Sequence, residues 1–284
     1  MANLVVRKED GSLLFDTDKI AYGLIKSGYL SYIENWSRYV CISNACKKDP
    51  GWGGNWSASG PADALHGFTV VGAKSPIVFI TGGGALAGTK VVGDSVTFYY
   101  GGASPESKFY CFDLMRDAGT GPALRTYKSD GVLTFNSRQA PLNIIANVYP
   151  PGKGGGANSH IPGWSVTAYA GGYNSVHGNI IKSSVSIPIP GEGEVAAFLP
   201  WSRAVTCAAR VVVNTPYQCA LIEGCAGMIG AIKFEFVISA ETTWGQLLNS
   251  SIPSESPIFR DIPDIRPSAL VIRTRGLPFP FSIG

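Results

Sequence analysis

The residues best suited to recognition chemistry are two tryptophans. Trp52 and Trp56 stand in the glycine-rich run 51–60, GWGGNWSASG. An indole on a glycine-rich loop can stack on a sugar ring, sit at a membrane surface or anchor a subunit interface. The competing reading folds both rings back over a sheet edge. Trp52 and Trp56 are therefore the candidate receptor- or interface-binding residues.

Other tempting patterns fail on their own chemistry. Residues 82–87, GGGALA, have the spacing of a dinucleotide-binding turn, which needs a helix next so that its amides face a pyrophosphate. Residues 88–100, GTKVVGDSVTFYY, read instead as turn and strand. In the overlapping GGALAGTK the order of lysine and hydroxyl is reversed from that of a phosphate loop. The three histidines, His66, His160 and His177, form no H-E-x-x-H and no i,i+4 pair, and no G-x-S-x-G elbow is present. Glu192 and Glu194, in GEGE, would share a strand face, but a solvated loop is the simpler account. The six cysteines, at 41, 46, 111, 207, 219 and 225, include no C-x-x-C pair. They read as reduced, mostly buried thiols, with three disulfides as the alternative if the chain is exported. No catalytic residue, metal site or cofactor is expected.

The elements that must position these residues are strands. Glycine and proline number 35 and 19 of 284 residues, about one in five against ~12% on average. Charged residues make up 15%, against a typical ~25%, which disfavours long amphipathic helices. A hydrophobic content of 45% and an aromatic content of 11% argue against disorder. A net charge of +3 without clustered Lys/Arg gives no footprint for nucleic acid. Charges in MANLVVRKEDGSLL occupy the place of a secretion-signal core, so no such signal is expected. The longest near-apolar run, 219–232, holds Glu223; it reads as buried core, with a membrane- or partner-touching loop as the alternative.

Alternation and β-branched or aromatic enrichment predict strands over 77–81, 95–100, 108–114, 164–170, 205–213, 231–239 and 270–275. Short helices are expected over 18–26 and 242–249. The run 117–122, DAGTGP, marks a boundary, and 150–158, PPGKGGGAN, a long loop. Four prolines between 251 and 267 read as an extended arm. The expected fold is all-β, with two β-sandwich-like units, Gly/Pro-rich loops and a proline-rich extended C-terminal arm. The expected domains are an N-terminal β domain (1–120), a second β domain (121–250), and the arm with a last strand (251–284). The apolar tail 277–284 should dock either on its own domain or on a neighbouring subunit.

The most informative pattern is an internal echo. LVVRKEDGSLLFDT at 4–17 returns as LRTYKSDGVLTFNS at 124–137, an offset of 120 residues. Each copy reads as a β-hairpin with a tight Asp-Gly turn and an apolar face formed by Leu13 and Phe15, or Leu133 and Phe135. Hairpin chemistry is degenerate, so coincidence is the competing reading.

Both copies, and the continuation Pro141-Leu142-Asn143-Ile144, resemble small tail proteins of long-tailed (siphovirus-like) bacteriophages. The resemblance covers about 30 to 40 residues and carries no catalytic residue. It implies a structural virion protein of the tail tip or baseplate, oligomeric and contributing to host-surface attachment. It also implies assembly in the bacterial host cytoplasm and residence in the virion tail. The partners would be further copies of the chain, a trimer by family analogy, and other tail proteins. Surface glycan, a pilus or the outer membrane would be the receptor. A carbohydrate-binding (lectin-like) β-sandwich, and less strongly an envelope-glycan hydrolase, are the alternatives.

Overall fold

A computed structural model of the chain describes residues 5–7, 9–11, 13–16, 19–37, 39–41, 56–57, 62–117, 121–154, 165, 167–177, 180–212, 215–238, 243–246, 258–260 and 262–283. The fold is all-β, built from several antiparallel sheets, some strongly curled.

The two echoing segments form hairpins of the same register. Val5–Arg7 pairs with Leu13–Asp16, and Arg125–Tyr127 pairs with Leu133–Asn136, every pair displaced by 120 residues. The register shift falls at the same step in both, Val6/Arg7 and Thr126/Tyr127. The turn differs from the expected Asp-Gly centre. Gly131 N–H donates to the Lys128 carbonyl, so Ser129-Asp130 forms the centre and glycine comes after it. Gly11 and Gly131 take φ of 80° and 83°, the left-handed conformation that resolves this turn into a bulged hairpin.

A seven-stranded sheet organises the rest. Its order is Ile144–Val148, Ala269–Arg273, Val195–Phe198, Ile77–Ile80, Lys108–Leu114, Tyr22–Tyr29 and Phe281–Ser282. The sheet curls until its edges meet. Leu24 N–H donates to the Ala140 carbonyl and Leu142 N–H to the Tyr22 carbonyl, while Ile144 already pairs with Ile272 at the opposite edge. Two residues span no more than about 7 Å, so the edges must be adjacent.

The five inner strands of this sheet are buried on both faces, and period 2 assigns them. Phe79, Tyr110, Phe112, Ala196 and Ile272 line the inside of the curl with Leu24. The tail plugs it: Leu277, Phe279 and Phe281 pack into this cluster, and the Phe279 ring lies 5.0 Å from Tyr29 and 5.7 Å from Tyr110. The tail thus docks on its own chain.

The alternate residues face outward against two further sheets. Val78, Ile80, Phe109 and Cys111 pack against Phe68, Val70, Phe98 and Tyr100. Those four belong to a sheet of order Ser31–Trp36, Asp63–Val71, Ser95–Gly101, Ala85–Val92. Val195, Ala197, Ala269 and Val271 pack against Val185, Leu221, Cys225, Phe234 and Phe236. These last five lie in a nine-stranded sheet containing Tyr173–His177, Ile180–Pro188, Ala231–Ile238 and Thr215–Met228, in that order.

The strand orders repeat. The run 77–80, 108–114, 22–29 recurs as 195–198, 269–273, 144–148. The run 31–36, 63–71, 95–101, 85–92 recurs as 173–177, 180–188, 231–238, 215–228. Two-residue turns with a left-handed glycine, Gly93 and Gly230, close the matching hairpins. Ala204–Val212, Thr243–Gln246 and Ile258–Arg260 occur in the second half without a counterpart of the same position among the described residues of the first.

Several expectations need correction. The segments read as helices hold strands, Tyr22–Tyr29 and Thr243–Gln246. Tyr22–Tyr29 is buried on both faces, which erases the alternation that marks a one-sided strand. Ser165 makes only an isolated bridge to Phe259, and residues 167–171 are bends and turn rather than the expected strand. Gly154 N–H donates to the Ala168 carbonyl and Gly172 N–H to the Tyr169 carbonyl, so local loop bonds win there. The expected last strand is present as Ala269–Arg273, and it lies inside the curled sheet. Ile258–Arg260 pairs with Thr206–Ala208.

The two halves touch through glycines. Gly82 N–H donates to the Gly227 carbonyl at 2.9 Å. A β-carbon on Gly227 would overlap the Val195 carbonyl, and one on Gly224 the Gly84 carbonyl. Gly227→Ala should lower unfolding free energy by at least about 2–3 kcal/mol. Gly152→Ala, which meets open space, should change it by less than about 0.5 kcal/mol. Urea unfolding followed by circular dichroism measures both.

Candidate binding face and buried charge network

The outer face of the four-stranded sheet carries an aromatic patch. Tyr99 stands opposite Gly67 on one neighbouring strand and Gly88 on the other. Because Phe98 and Tyr100 face the core, Tyr99 faces out. Two glycines leave a flat floor, and other side chains roof it. Trp36 lies over Gly88, Ile33 over Gly67, and the Trp36 and Tyr99 rings are 5.3 Å apart at 32°. Leu65 and Ala87 complete the cluster. Burial, then the Glu34 carboxylate beside it, pushes the Tyr99 phenol up. Exposed Glu34 and Lys90 lie two residues from Trp36 and Gly88 on the same two edge strands, and so on the same face. An indole edged by carboxylate and ammonium groups can stack on the C–H face of a sugar while hydrogen-bonding its hydroxyls.

The expected site residues are placed differently. Trp52 lies outside the described residues. Trp56 opens the strand Trp56–Ser57 opposite Cys41, in the nine-stranded sheet, whereas Trp36 belongs to the four-stranded one. Trp36 escapes a reading of the sequence because it sits among charged and polar residues, SYIENWSR, with no glycine beside it. Its sequence signal lies elsewhere, in the lone glycines within the strands at 67 and 88 that an aromatic must cover.

His66 and His177 lie in different sheets. His66 is buried, edge-on to Tyr32 at 6.2 Å, and burial pushes its imidazole down. Its Nδ1 has no hydrogen-bond partner among the described residues. His177 ends a strand opposite Ile180, and His160 lies outside the described residues. Among the described residues no group of three or more His, Cys, Asp and Glu could hold a metal ion.

The glutamates of GEGE separate. Glu192 is exposed, whereas Glu194 is not the solvated residue expected. Its carboxylate accepts from Lys108 Nζ at 2.9 Å and from Thr274 Oγ1 at 3.0 Å. The bond to Glu194 raises the Lys108 amine against the opposing effect of burial. Glycine at 191 and 193, with φ of 97° and 96°, turns the chain so that the two side chains part.

The glycine loop 82–84 serves packing between the halves. Gly84 N–H donates to Glu235 Oε1 at 2.8 Å, and Lys233 Nζ lies 3.0 Å from Glu235 Oε2. Beside it opens a cleft of about 240 Å³, lined by Val78, Leu86, Phe98, Phe198 and Pro200, with Glu223 and Cys225 on its far side. Glu223 is already committed. Arg203 grips it bidentately at 2.8 and 2.8 Å, and Tyr169 Oη donates at 2.8 Å. Arg203 Nη1 also donates to the Pro263 carbonyl at 3.1 Å. All three side chains are buried. Burial first, then the Glu223 charge, pushes the Tyr169 phenol far up. A satisfied network of this kind fixes the geometry of the side chains it holds.

A second fixed carboxylate is Asp113, which is buried. Burial alone would raise its carboxyl. The Lys74 and Ser75 amides, each at 2.8 Å, and Arg116 Nη2 at 2.9 Å outweigh burial and hold it below the usual range.

No family model, curated protein or solved structure matches this chain.

Arg203→Met leaves Glu223 charged and half-partnered in the core, and should cost about 3–5 kcal/mol; replacing both residues by apolar ones should recover most of that loss. Asp113 contributes stability above the ordinary aspartate range near ~3.9, lost as pH falls through its lowered folded value. Asp113→Asn should therefore destabilise the protein at pH 7 and flatten the acid limb of its stability curve. Chemical denaturation across pH 2–7 reads both.

Proposed function

We propose that this chain is a structural protein of a bacteriophage tail tip or baseplate, oligomeric and contributing to host-surface attachment. Its work is assembly and binding, without bond-making chemistry and without a cofactor. The observation that carries this reading is the pair of hairpins, which share turn, register and bulge at an offset of 120 residues. These are the segments that resemble tail proteins. The repeated strand orders support a chain made of two related β-sandwich-like units, each introduced by one hairpin.

In this reading the virion tail is the final location, after assembly in the host cytoplasm. The partners are further copies of the chain, other tail proteins and a bacterial surface receptor. The exposed apolar residues of the hairpins, Val5, Leu124, Tyr127 and Val132, are the contacts offered to such neighbours. Light scattering after gel filtration tests self-assembly on the full chain. The expected result is a particle of about three times the 30.0 kDa chain mass, or a larger ring. A monomer throughout the micromolar range would overturn the self-assembly part.

A second reading, a lectin-like module, is favoured by the Trp36–Tyr99 face. A glycan array separates the two. The lectin reading expects retention on at least one bacterial surface glycan, falling tenfold or more in Trp36→Ala with secondary structure unchanged. Retention lost in Trp56→Ala and kept in Trp36→Ala would move the site to the glycine-rich tryptophan run. No retention by the wild type would sink the lectin reading.

A further inference from the structure

The strand Asp63–Val71 is paired along only part of one edge. Its partner on that side, Ser31–Trp36, runs from Asp63↔Trp36 to Gly67↔Ser31 and stops there. On the other side, the register with Ser95–Gly101 continues unbroken to Val71↔Ser95. Gly72 N–H donates to the Asp94 carbonyl at 2.7 Å, so that step is a hydrogen-bonded pair. Antiparallel steps alternate, so the N–H and C=O of Val71 and Thr69 point away from Ser95–Gly101 and toward the open edge. Two side chains confirm this direction. Lys26 Nζ donates to the Thr69 carbonyl at 2.7 Å, and Arg116 Nη1 to the Val71 carbonyl at 3.5 Å. Arg116 Nη2 also donates to the Gly72 carbonyl at 2.8 Å and to Asp113 Oδ2 at 2.9 Å.

These bonds seal the acceptors of the edge and leave its donors. The N–H groups of Thr69 and Val71 have no partner among the described residues. An ammonium carries several N–H donors and a guanidinium more, and the bonds above do not exhaust either set. The edge opens on a groove of about 430 Å³, whose other wall is Ile25, Ser282 and Ile283. Thr69, Gly72 and Ser282 are exposed, so the groove is open to solvent. Asp113 offsets one of the two cations, which leaves a net positive charge beside the groove.

The arrangement repeats along the strand. Thr69 presents an N–H beside the cation held on its own carbonyl, Lys26, and Val71 does the same with Arg116. Two strand residues rise about 7 Å, which sets the interval between the two donor sets. An added neutral strand is disfavoured here, because its N–H groups would meet Lys26 and Arg116 in place of free carbonyls.

We propose that this groove binds an anionic chain, a linear ligand bearing carboxylate or phosphate groups roughly 7 Å apart. One anion sits between Thr69 N–H and Lys26 Nζ, and the next between Val71 N–H and Arg116. A free anion can fill one position. A chain fills both, and its second contact is made at the high effective concentration set by the first.

The test titrates the full chain, isotopically labelled in threonine and valine, and follows the amide resonances of Thr69 and Val71. Adipate is the chain probe, with two carboxylates about 6 Å apart when extended. Acetate and inorganic phosphate are the free anions, and hexanediol is the neutral control. The expected result is that both amides shift with adipate, at a concentration at least tenfold below that needed with acetate or phosphate, and that neither shifts with hexanediol. Lys26→Met should weaken adipate binding at least fivefold, and Lys26→Arg should retain it. Amides that do not move with adipate would overturn the proposal. Acetate or phosphate binding as tightly as adipate would reduce the groove to a site for single free anions and sink the chain. Undiminished binding in Lys26→Met would remove Lys26 from the site. The comparison of adipate with acetate on the wild type decides the matter even where a variant fails to fold. None of these outcomes depends on the tail-protein reading.

Discussion

The structure depends on one sheet buried on both faces. Each of the five inner strands of the curled sheet sends alternate residues in opposite directions, and both directions are largely buried. Phe79 points into the curl while Val78 and Ile80 point to the four-stranded sheet. Ala196 points inward while Val195 and Ala197 meet the nine-stranded sheet. A large buried apolar area is the principal stabilising contribution in any such fold. Here it is shared between the halves, because Ile80 and Ala197 are paired across the seam. The C-terminal tail completes it by inserting Phe279 and Phe281 where the curl would otherwise be hollow.

That arrangement explains where charge and glycine sit. Sheets that cross at the seam bring backbone against backbone, so Gly224 and Gly227 are needed where any β-carbon would overlap a carbonyl. Close approach also buries polar groups, which must then be paired. Arg203, Glu223 and Tyr169 satisfy one another, and Glu235 accepts from Gly84. The glycine run that mimics a nucleotide loop serves this contact.

Some of this is legible in the residues. The hairpins are readable because their turns are local: a turn glycine between alternating apolar residues marks each loop within about ten residues, although the turn centre falls one residue before Asp-Gly. Lys108–Leu114 and Ala231–Ile238 stand out because aromatic and β-branched side chains recur with period 2. Tyr22–Tyr29 misleads, because a strand covered on both sides has no polar face. The burial of Leu221 and of 223–227 is readable from hydropathy, although Ile229 at the hairpin turn is exposed; the partners of Glu223 are not readable, since Arg203 and Tyr169 are 20 and 54 residues away in sequence. Glu194 misleads for the same reason; its lysine lies 86 residues earlier.

The sequence by itself determined the all-β class, the duplicated hairpin and the apolar character of the tail, because composition, turn chemistry and alternation act over a few residues. Only the tertiary structure decided the rest. It closed the curled sheet by placing Pro141 beside Gly23. It set Tyr99 between Gly67 and Gly88, and put Cys207 opposite Cys219. Each of these is a pairing between strands, and pairing is selected by the packing of whole sheets rather than by any residue's own preference.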